Sequence, residues 1–490
     1  MNFEFVHFFW LINIIALTGL GIYGLHRIWF VILWYKHHRK PLIPTVLPAL
    51  SCFAKVTIQL PLYNERFVAN RLIDASASLD WPGESLEIQV LDDSTDDTRE
   101  IVDERAQFWR NKGICINVIR RKNRIGFKAG ALANGLNEAK GEFIGVFDAD
   151  FVPSKDFLIK TMPHFSNLSI GMVQCRWNFF NEDYSWFTRI QSLLLASHFR
   201  IEHYVRFKEG LFFNFNGTAG IWRKSAIISS GGWQSDTVTE DIDLSYRAQL
   251  GGWKFIYLDD YTVPSELPSS LSAFRRQQQR WAKGSIQTAR KLLPTIISSN
   301  KIGLKVKFEA AAHLLANLGW IFCSLLTLTL YPVALVDKSG IFLGGWRFVT
   351  FFLFYSSIGI LIYFIFYALV SRSKAIFWLW LLPVVSVGIA PALSLTVISG
   401  MFKKGGTFHR TPKYGILGGS NPMQTISDIY KRIEFSNFFI NIPFLIYTAY
   451  QFILLWQMHA WAVILQVLFP LGFCLVILAD LEDLLKGRKI

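Results

Sequence analysis

Residues 141–150 read GEFIGVFDAD, an apolar run from Phe143 to Phe147 that ends in two carboxylates one small residue apart. In a buried β-strand, side chains i and i+2 point the same way, so Asp148 and Asp150 could converge on one cation. Ala149 between them leaves room for a ligand to approach the backbone. On this stretch alone a metal–nucleotide site and an ordinary acidic turn read equally well. Further on, TVTEDIDLSYR at 237–247 places acids in a first helical turn. There Thr237 and Glu240 match a capping box, or Asp241 serves as a positioned base. RRQQQRW at 275–281, if helical, sets Gln277, Arg280 and Trp281 on one face at i, i+3 and i+4. An amide, a guanidinium and an indole together suit an anionic leaving group beside a sugar ring. An amphipathic interfacial helix accounts for the same pattern.

These residues need elements to hold them. From Ala54 onward, short β-type runs alternate with helical ones. Residues 55–60, 86–91, 114–119 and 143–147 read as strands, and 66–79, 98–109 and 129–139 as the helices between them. Repeated βα units imply an α/β domain with a doubly wound, mainly parallel sheet, whose ligands sit at the carboxyl ends of the strands. Those ends carry Tyr63 and Glu65, then Asp92 and Asp93, then Asp148 and Asp150. Three such ends on one edge weigh against the plain acidic turn. Neither a P-loop nor a GxGxxG opening a helix is present, which disfavours an ATPase or a dinucleotide enzyme. Residues 151–300 are less regular. The stretch 185–207 reads as a helix lying against a membrane surface, and FNFNGTAGIWR at 213–223 suits backbone held close to a ligand.

The chain has 490 residues, 52% hydrophobic and 16% aromatic, with a mean hydropathy of +0.30. Its apolar residues concentrate in long runs, so membrane spans plus a soluble domain of residues 51–300 is the natural partition. The net charge of +14 sits in clusters flanking those runs, as at 36–40, 372–374 and 403–404. That is a positive-inside pattern and argues against nucleic acid. Five scattered cysteines fit a reducing compartment. Spans are expected at 8–34, 308–336, 344–370, 438–456 and 461–478. The stretch 375–401, broken by Pro383, Gly388, Pro391 and Gly400, has basic flanks at both ends and reads as a re-entrant or interfacial segment. His26 and Arg27 are expected to snorkel towards head groups or water. Residues 1–50 then form an anchor, and 301–490 a helical membrane region with a cytosolic loop at 402–432.

In order, the motifs are Asp92-Asp93, DAD, TED, QxxRW and a cytosolic FHRTPK loop. This ordered set resembles the membrane-embedded processive β-glycan synthases of glycosyltransferase family two, which include cellulose, hyaluronan and mannan synthases. VLDDSTD, FNGTAGIWR, GGW, GWKF and ELP are most similar to the cellulose-synthase-like A and C branches. The resemblance implies a GT-A-like domain and inverting, processive transfer from GDP-mannose or UDP-glucose to a β-1,4-linked polysaccharide.

By the same resemblance, Tyr63, Glu65 and Asp92 or Asp93 bind base and ribose, and Lys128 contacts the diphosphate. Asp148 and Asp150 hold Mg²⁺ or Mn²⁺. Asp241, with Glu240 beside it in TED, supplies the general base. Gln277, Arg280 and Trp281 bind the diphosphate and stack the acceptor sugar. Phe215, Asn216, Gly217 and Thr218 form the acceptor-proximal turn, and Phe408, Arg410, Thr411 and Lys413 belong to a gating loop. That loop departs from the bacterial FxVTxK pattern. No cyclic-di-nucleotide-binding domain is expected after the last span. The catalytic domain is expected in the cytosol at a plasma (inner) membrane, or at a Golgi membrane in a eukaryote. A non-processive transferase acting on a lipid acceptor, and a transporter with an inert cytosolic domain, are the alternatives.

Overall fold

A computed structural model describes residues 3–38, 53–338, 345–406, 411, 413–416, 435–457 and 466–488. Its soluble domain is built on one seven-stranded sheet in the order β3-β2-β1-β4-β6-β5-β7. The strands are β1 Val56–Leu62, β2 Leu86–Asp92, β3 Ile116–Ile119, β4 Phe143–Val146, β5 Ile170–Phe179, β6 Gly220–Arg223 and β7 Lys254–Ser265. β1 to β4 pair in parallel, as do β5 and β7, and β6 runs antiparallel between β4 and β5. The sheet is therefore mainly parallel, as the βα repeats require, with one reversed strand.

β1 and β2 are buried on both faces although their sequences alternate apolar and polar residues; the polar ones pair across the strands, Thr57 Oγ1 donating to Glu87 Oε2 at 2.7 Å and Gln59 Nε2 to Gln89 Oε1 at 3.0 Å. On one side Ile58, Val90 and Phe147 pack with Leu72, Ile73 and Val102 of the flanking helices. On the other, Met172 and Trp222 share a core with Phe30 and Trp34 of the N-terminal helix Phe3–His38 and with Tyr363 of helix Gly345–Val370. The α/β domain and the apolar helices thus meet over a common buried core. His26 and Arg27 turn into this junction and not to the lipid surface. His26 Nε2 is hydrogen-bonded to Glu309 at 2.7 Å, and Arg27 pairs with Glu202 at 2.5 Å.

Among the described residues four helices are long and apolar enough to cross a membrane: His7–His38, Phe352–Val370, Leu381–Phe402 and Phe438–Gln457. The bent pair Leu304–Leu314 and Ala316–Leu330 would make a fifth. The last expected span falls partly on residues 458–465, outside the described residues, and Leu468–Arg488 is not among these helices. Leu381–Phe402 corrects another expectation, because it is continuous through Pro391. Gly388 is a contact and not a break: a Cβ there would strike the carbonyl of Gly472. Its apolar side packs Val385, Ile389 and Leu393 against Phe274, Ala282 and Ile286 of helix Leu271–Ser298. Its C-terminal end is bonded to that same domain helix through Arg290 and Gln287.

Candidate active site

The carboxyl ends of β1, β2 and β4 open on one cleft. It is lined by Tyr63, Glu65, Asp93, Lys128, Asp148, Asp150, Asn216, Gly217, Glu240, Asp241, Gln277, Arg280, Trp281, Thr411 and Lys413. β4 stops at Val146, and Asp148 and Asp150 lie on the turn after it, closed by Phe151 N donating to Asp148 O at 3.0 Å. The turn, not strand alternation, aims both carboxylates into the cleft. Thr218 fixes it from beneath, its hydroxyl accepting from Asp148 N at 2.9 Å.

Each carboxylate of the pair carries a lysine. Lys128 Nζ donates to Asp148 Oδ1 at 2.5 Å and to Gly217 O at 2.9 Å. Lys413 Nζ donates to Asp150 Oδ2 and to Glu266 O, both at 2.8 Å. Burial disfavours the Lys128 charge, but Asp148, Glu240 and Asp241 outweigh it and hold its pKa above the usual lysine value. Among the described residues no group of three His, Cys, Asp or Glu side chains could close a metal site by itself. Two hard carboxylates already balanced by two positive charges nonetheless fit a divalent cation that takes its remaining ligands from phosphate and water.

Asp241 stands on the first turn of helix Glu240–Leu250, where its Oδ1 accepts from Ile242 N at 2.9 Å. The expected capping box is not formed: the N-cap is Thr239, with no side-chain cap bond, and Thr237 donates its hydroxyl to Thr239 O at 3.2 Å. Burial first, and the neighbouring Glu240 carboxylate second, push the Asp241 pKa up to about 7. Gly217 lets this carboxylate approach the FNGT turn. At φ +81° it takes a conformation that favours glycine, and a Cβ there would sit 2.9 Å from Asp241 Oδ2. Gln277, Arg280 and Trp281 share one face of helix Leu271–Ser298, as their spacing requires. Burial lowers the Arg280 pKa, while Glu240, Asp148, Asp241 and Asp150 all pull it the other way.

Three named residues are not cleft-lining. Asp92 is buried beneath it, accepting from Arg120 Nε at 2.8 Å and Ser94 N at 3.0 Å. Phe215 packs edge-on against Trp222 in the core, and Thr218 is fully buried. Phe408 and Arg410 lie outside the described residues. Conversely, the cleft is also lined by Arg124 and Glu266, which are not among the expected site residues. Glu266 accepts from the backbone N–H of Tyr414 at 2.8 Å and of Gly415 at 2.9 Å. The Arg124 guanidinium lies 3.2 Å from the centre of the Tyr63 ring. Glu266 directly follows β7, so reading 254–265 as a strand would have flagged it by the strand-end rule that found Asp93.

A second cavity, of about 620 Å³, adjoins the cleft between the domain and the apolar helices. Asn216, Thr239, Asp241 and Trp281 line both spaces. Its far wall includes Tyr23, Trp320, Phe364 and Ser386.

Residues 54–284 match the family described as "Glycosyltransferase like family 2". Over 257 residues the chain is 47% identical to glucomannan 4-beta-mannosyltransferase 2 of Arabidopsis thaliana, covering 51% of this chain and 48% of that protein. Over 281 residues it is 44% identical to glucomannan 4-beta-mannosyltransferase 1 of Oryza sativa subsp. japonica, covering 56% and 54%. The chain thus spans about half the length of these curated relatives. The fold is shared with a mannosyltransferase from Pyrobaculum calidifontis solved in complex with GDP-Man and Mn²⁺. The TM-score is 0.50 at 19% identity, covering 71% of this chain and 97% of that one.

Proposed function

We propose that this chain, built on a family 2 glycosyltransferase domain over residues 54–284, transfers mannosyl units from GDP-mannose to a growing β-1,4-linked mannan or glucomannan. The product then passes between the apolar helices. The observation that carries this reading is the junction of the two cavities at Asp241 and Trp281. A sugar added at that junction can advance without leaving the protein, and a polymer's hydroxyls need such a lined path through hydrocarbon. The names of the plant relatives, and the GDP-Man in the archaeal neighbour, support mannose over glucose.

In this reading Tyr63, Glu65 and Asp93 receive the base and ribose, and Lys128, Arg280 and Gln277 receive the diphosphate. Asp148 and Asp150 would hold a Mg²⁺ or Mn²⁺ ion, which when bound neutralises charge on the departing diphosphate. Trp281 stacks the acceptor's terminal sugar, beside Asn216 and Gly217. Asp241 takes the proton from the acceptor hydroxyl as that oxygen bonds to the anomeric carbon. The bond from that carbon to the diphosphate oxygen breaks on the opposite side, inverting the centre. A carboxylate with a pKa raised to about 7 is a stronger base than an ordinary aspartate and still ionises near neutrality.

Residues 1–50 anchor the chain, 51–300 catalyse, and 301–490 form the channel, with Thr411 and Lys413 of the gating loop at the donor. The domain faces the cytosol. The apolar helices fit a membrane protein, and nothing in the comparisons favours the plasma membrane in particular.

The test offers membrane vesicles labelled GDP-mannose and UDP-glucose in turn, with Mg²⁺ or Mn²⁺, then sizes and digests the product. A high-mass, mannanase-sensitive product from GDP-mannose is expected. A cellulase-sensitive product from UDP-glucose alone would overturn the sugar, and a single-sugar lipid product would overturn the polymer.

A further inference from the structure

Helix Leu271–Ser298 carries its functional face well beyond Trp281. Gln277, Arg280, Gly284, Gln287 and Lys291 follow one another at steps of three or four residues, a single stripe. The first two line the cleft. The last three grip the loop that leads into Asp241. A Cβ on Gly284 would collide with Thr239 Oγ1 and Cγ2, so the helix and the loop touch there through a missing side chain. Lys291 Nζ donates to Gln234 Oε1 at 2.6 Å and to Asp236 Oδ1 at 2.8 Å, and pairs with Asp243 at 2.8 Å.

Gln287 sits between these two and is buried. Its Oε1 accepts from Val238 N at 3.0 Å, three residues before Asp241. Its Nε2 donates to Lys403 O at 2.9 Å and to Gly405 O at 2.8 Å. Gly405 N in turn donates to Asp236 O at 2.7 Å, so the two segments that share this amide's three backbone bonds are also tied directly to each other. Only a group that donates and accepts at once can serve both sides.

We infer that Gln287 is a positioning residue: its amide fixes the loop bearing Asp241 and the 403–405 segment in one arrangement, so that neither can shift without the other. Gly284 and Lys291 set the distance and register of the same contact. The inference rests on Asp241 as the base only for its effect on rate; the physical coupling stands apart from it.

Two kinds of measurement test it on the full chain in detergent. Gln287→Leu keeps the bulk and removes the amide. Transfer from GDP-mannose should lose on the order of 10²-fold in kcat, as expected when a catalytic group is misplaced by about 1 Å. The donor KM should stay within about threefold, because the cleft's diphosphate-binding side chains are untouched. Hydrogen exchange should quicken at residues 236–241 and at 403–405 together, with β1 and β4 unchanged. Gln287→Glu keeps an acceptor for Val238 N and loses both donors, so exchange should quicken at 403–405 while 236–241 stays protected.

Should Gln287→Leu fail to fold, Gly284→Ala pushes Thr239 from the other side and should give the same kcat loss at constant KM. Full kcat in either folded variant, or exchange at 236–241 unmoved in Gln287→Leu, would overturn the inference. Coupled exchange with no transfer from any donor would leave it standing and remove the proposed function instead.

Discussion

The Lys413 ammonium donates to Asp150 Oδ2 over 2.8 Å, bringing the segment after helix Leu381–Phe402 onto the turn that follows β4. Lys128 does the same for Asp148, so two single positive charges sit where the proposed divalent ion would. A cation binding between the acids must displace or repel the Lys413 ammonium. Lys413→Met is therefore expected to tighten Mn²⁺ binding to the donor-free protein by about tenfold, a change of ~1.4 kcal/mol. Electron paramagnetic resonance of the unbound Mn²⁺ reads this directly. Equal affinity in the variant and the parent would show that the lysine and the ion do not compete.

Asp92 and Asp93 are adjacent in sequence and are expected to fail differently. Asp92 is a buried partner of Arg120 and Ser94. Asp92→Asn should cost about 1.5–3 kcal/mol of stability by weakening a charged hydrogen bond, lowering the unfolding temperature with the donor KM unchanged. Asp93 lines the cleft and holds Arg121, which also donates to Ile125 O and Phe127 O in the turn that presents Arg124 and Lys128. Asp93→Asn should raise the donor KM. Thermal unfolding and steady-state kinetics on both variants separate the two roles, and a raised KM in Asp92→Asn would reverse the assignment.

Much of this arrangement is legible in the chain because short β-type runs alternate with helical ones, the pattern of βα units. β1, β2 and β4 stood out for that reason, and the acids at their ends followed. Helical spacing likewise puts Gln277, Arg280 and Trp281 on one face. β6 was not legible: Gly220–Arg223 lies inside FNFNGTAGIWR, whose glycines read as backbone held close to a ligand, and its antiparallel direction comes from pairing with β4 and β5. β7 was hidden by its mixed polarity and by an irregular register against β5 between Cys175 and Arg176. With β7 unread, Glu266 had no strand to end. In Leu381–Phe402, proline and glycine read as helix breaks. Neighbouring helices fill the space instead, and Gly388 is needed because Gly472 approaches it so closely. Sequence periodicity reports one element's own face. The carboxylate-to-lysine pairs and the Gln287 contacts join elements far apart in the chain, which periodicity does not encode.

Glu266 is buried and holds the 413–415 backbone by two N–H donors and, through its carbonyl, Lys413. Glu266→Ala would leave those two N–H groups without their acceptor, at about 1–3 kcal/mol each if they stayed buried. The segment is therefore expected to leave the cleft wall. Hydrogen exchange at residues 414 and 415 should accelerate, and the donor KM should rise by about tenfold if Lys413 helps to hold the diphosphate. Unchanged exchange at those two amides would remove Glu266 as their anchor.

As the proposed base, Asp241 should set the pH dependence of transfer. Burial and Glu240 raise its pKa to about 7 from an ordinary 3.8, so its basic form grows in as pH rises through 7. The rate of transfer should follow, with a single acidic limb near that value. Stability moves the other way. With the folded pKa above the unfolded one, the favourable contribution of the protonated carboxyl is fully present below about pH 3.8 and is lost as pH rises through about 7. Asp241→Asn cannot ionise. Its unfolding temperature should exceed that of the parent at pH 8, and the difference should shrink steadily towards pH 4. The same variant should bind GDP-mannose with Mn²⁺ and transfer nothing, since Asp148, Asp150 and Lys128 are intact. Measurable turnover in Asp241→Asn would take the base role from this residue, and a pH-independent difference in unfolding temperature would show that its carboxyl is not held neutral by its surroundings.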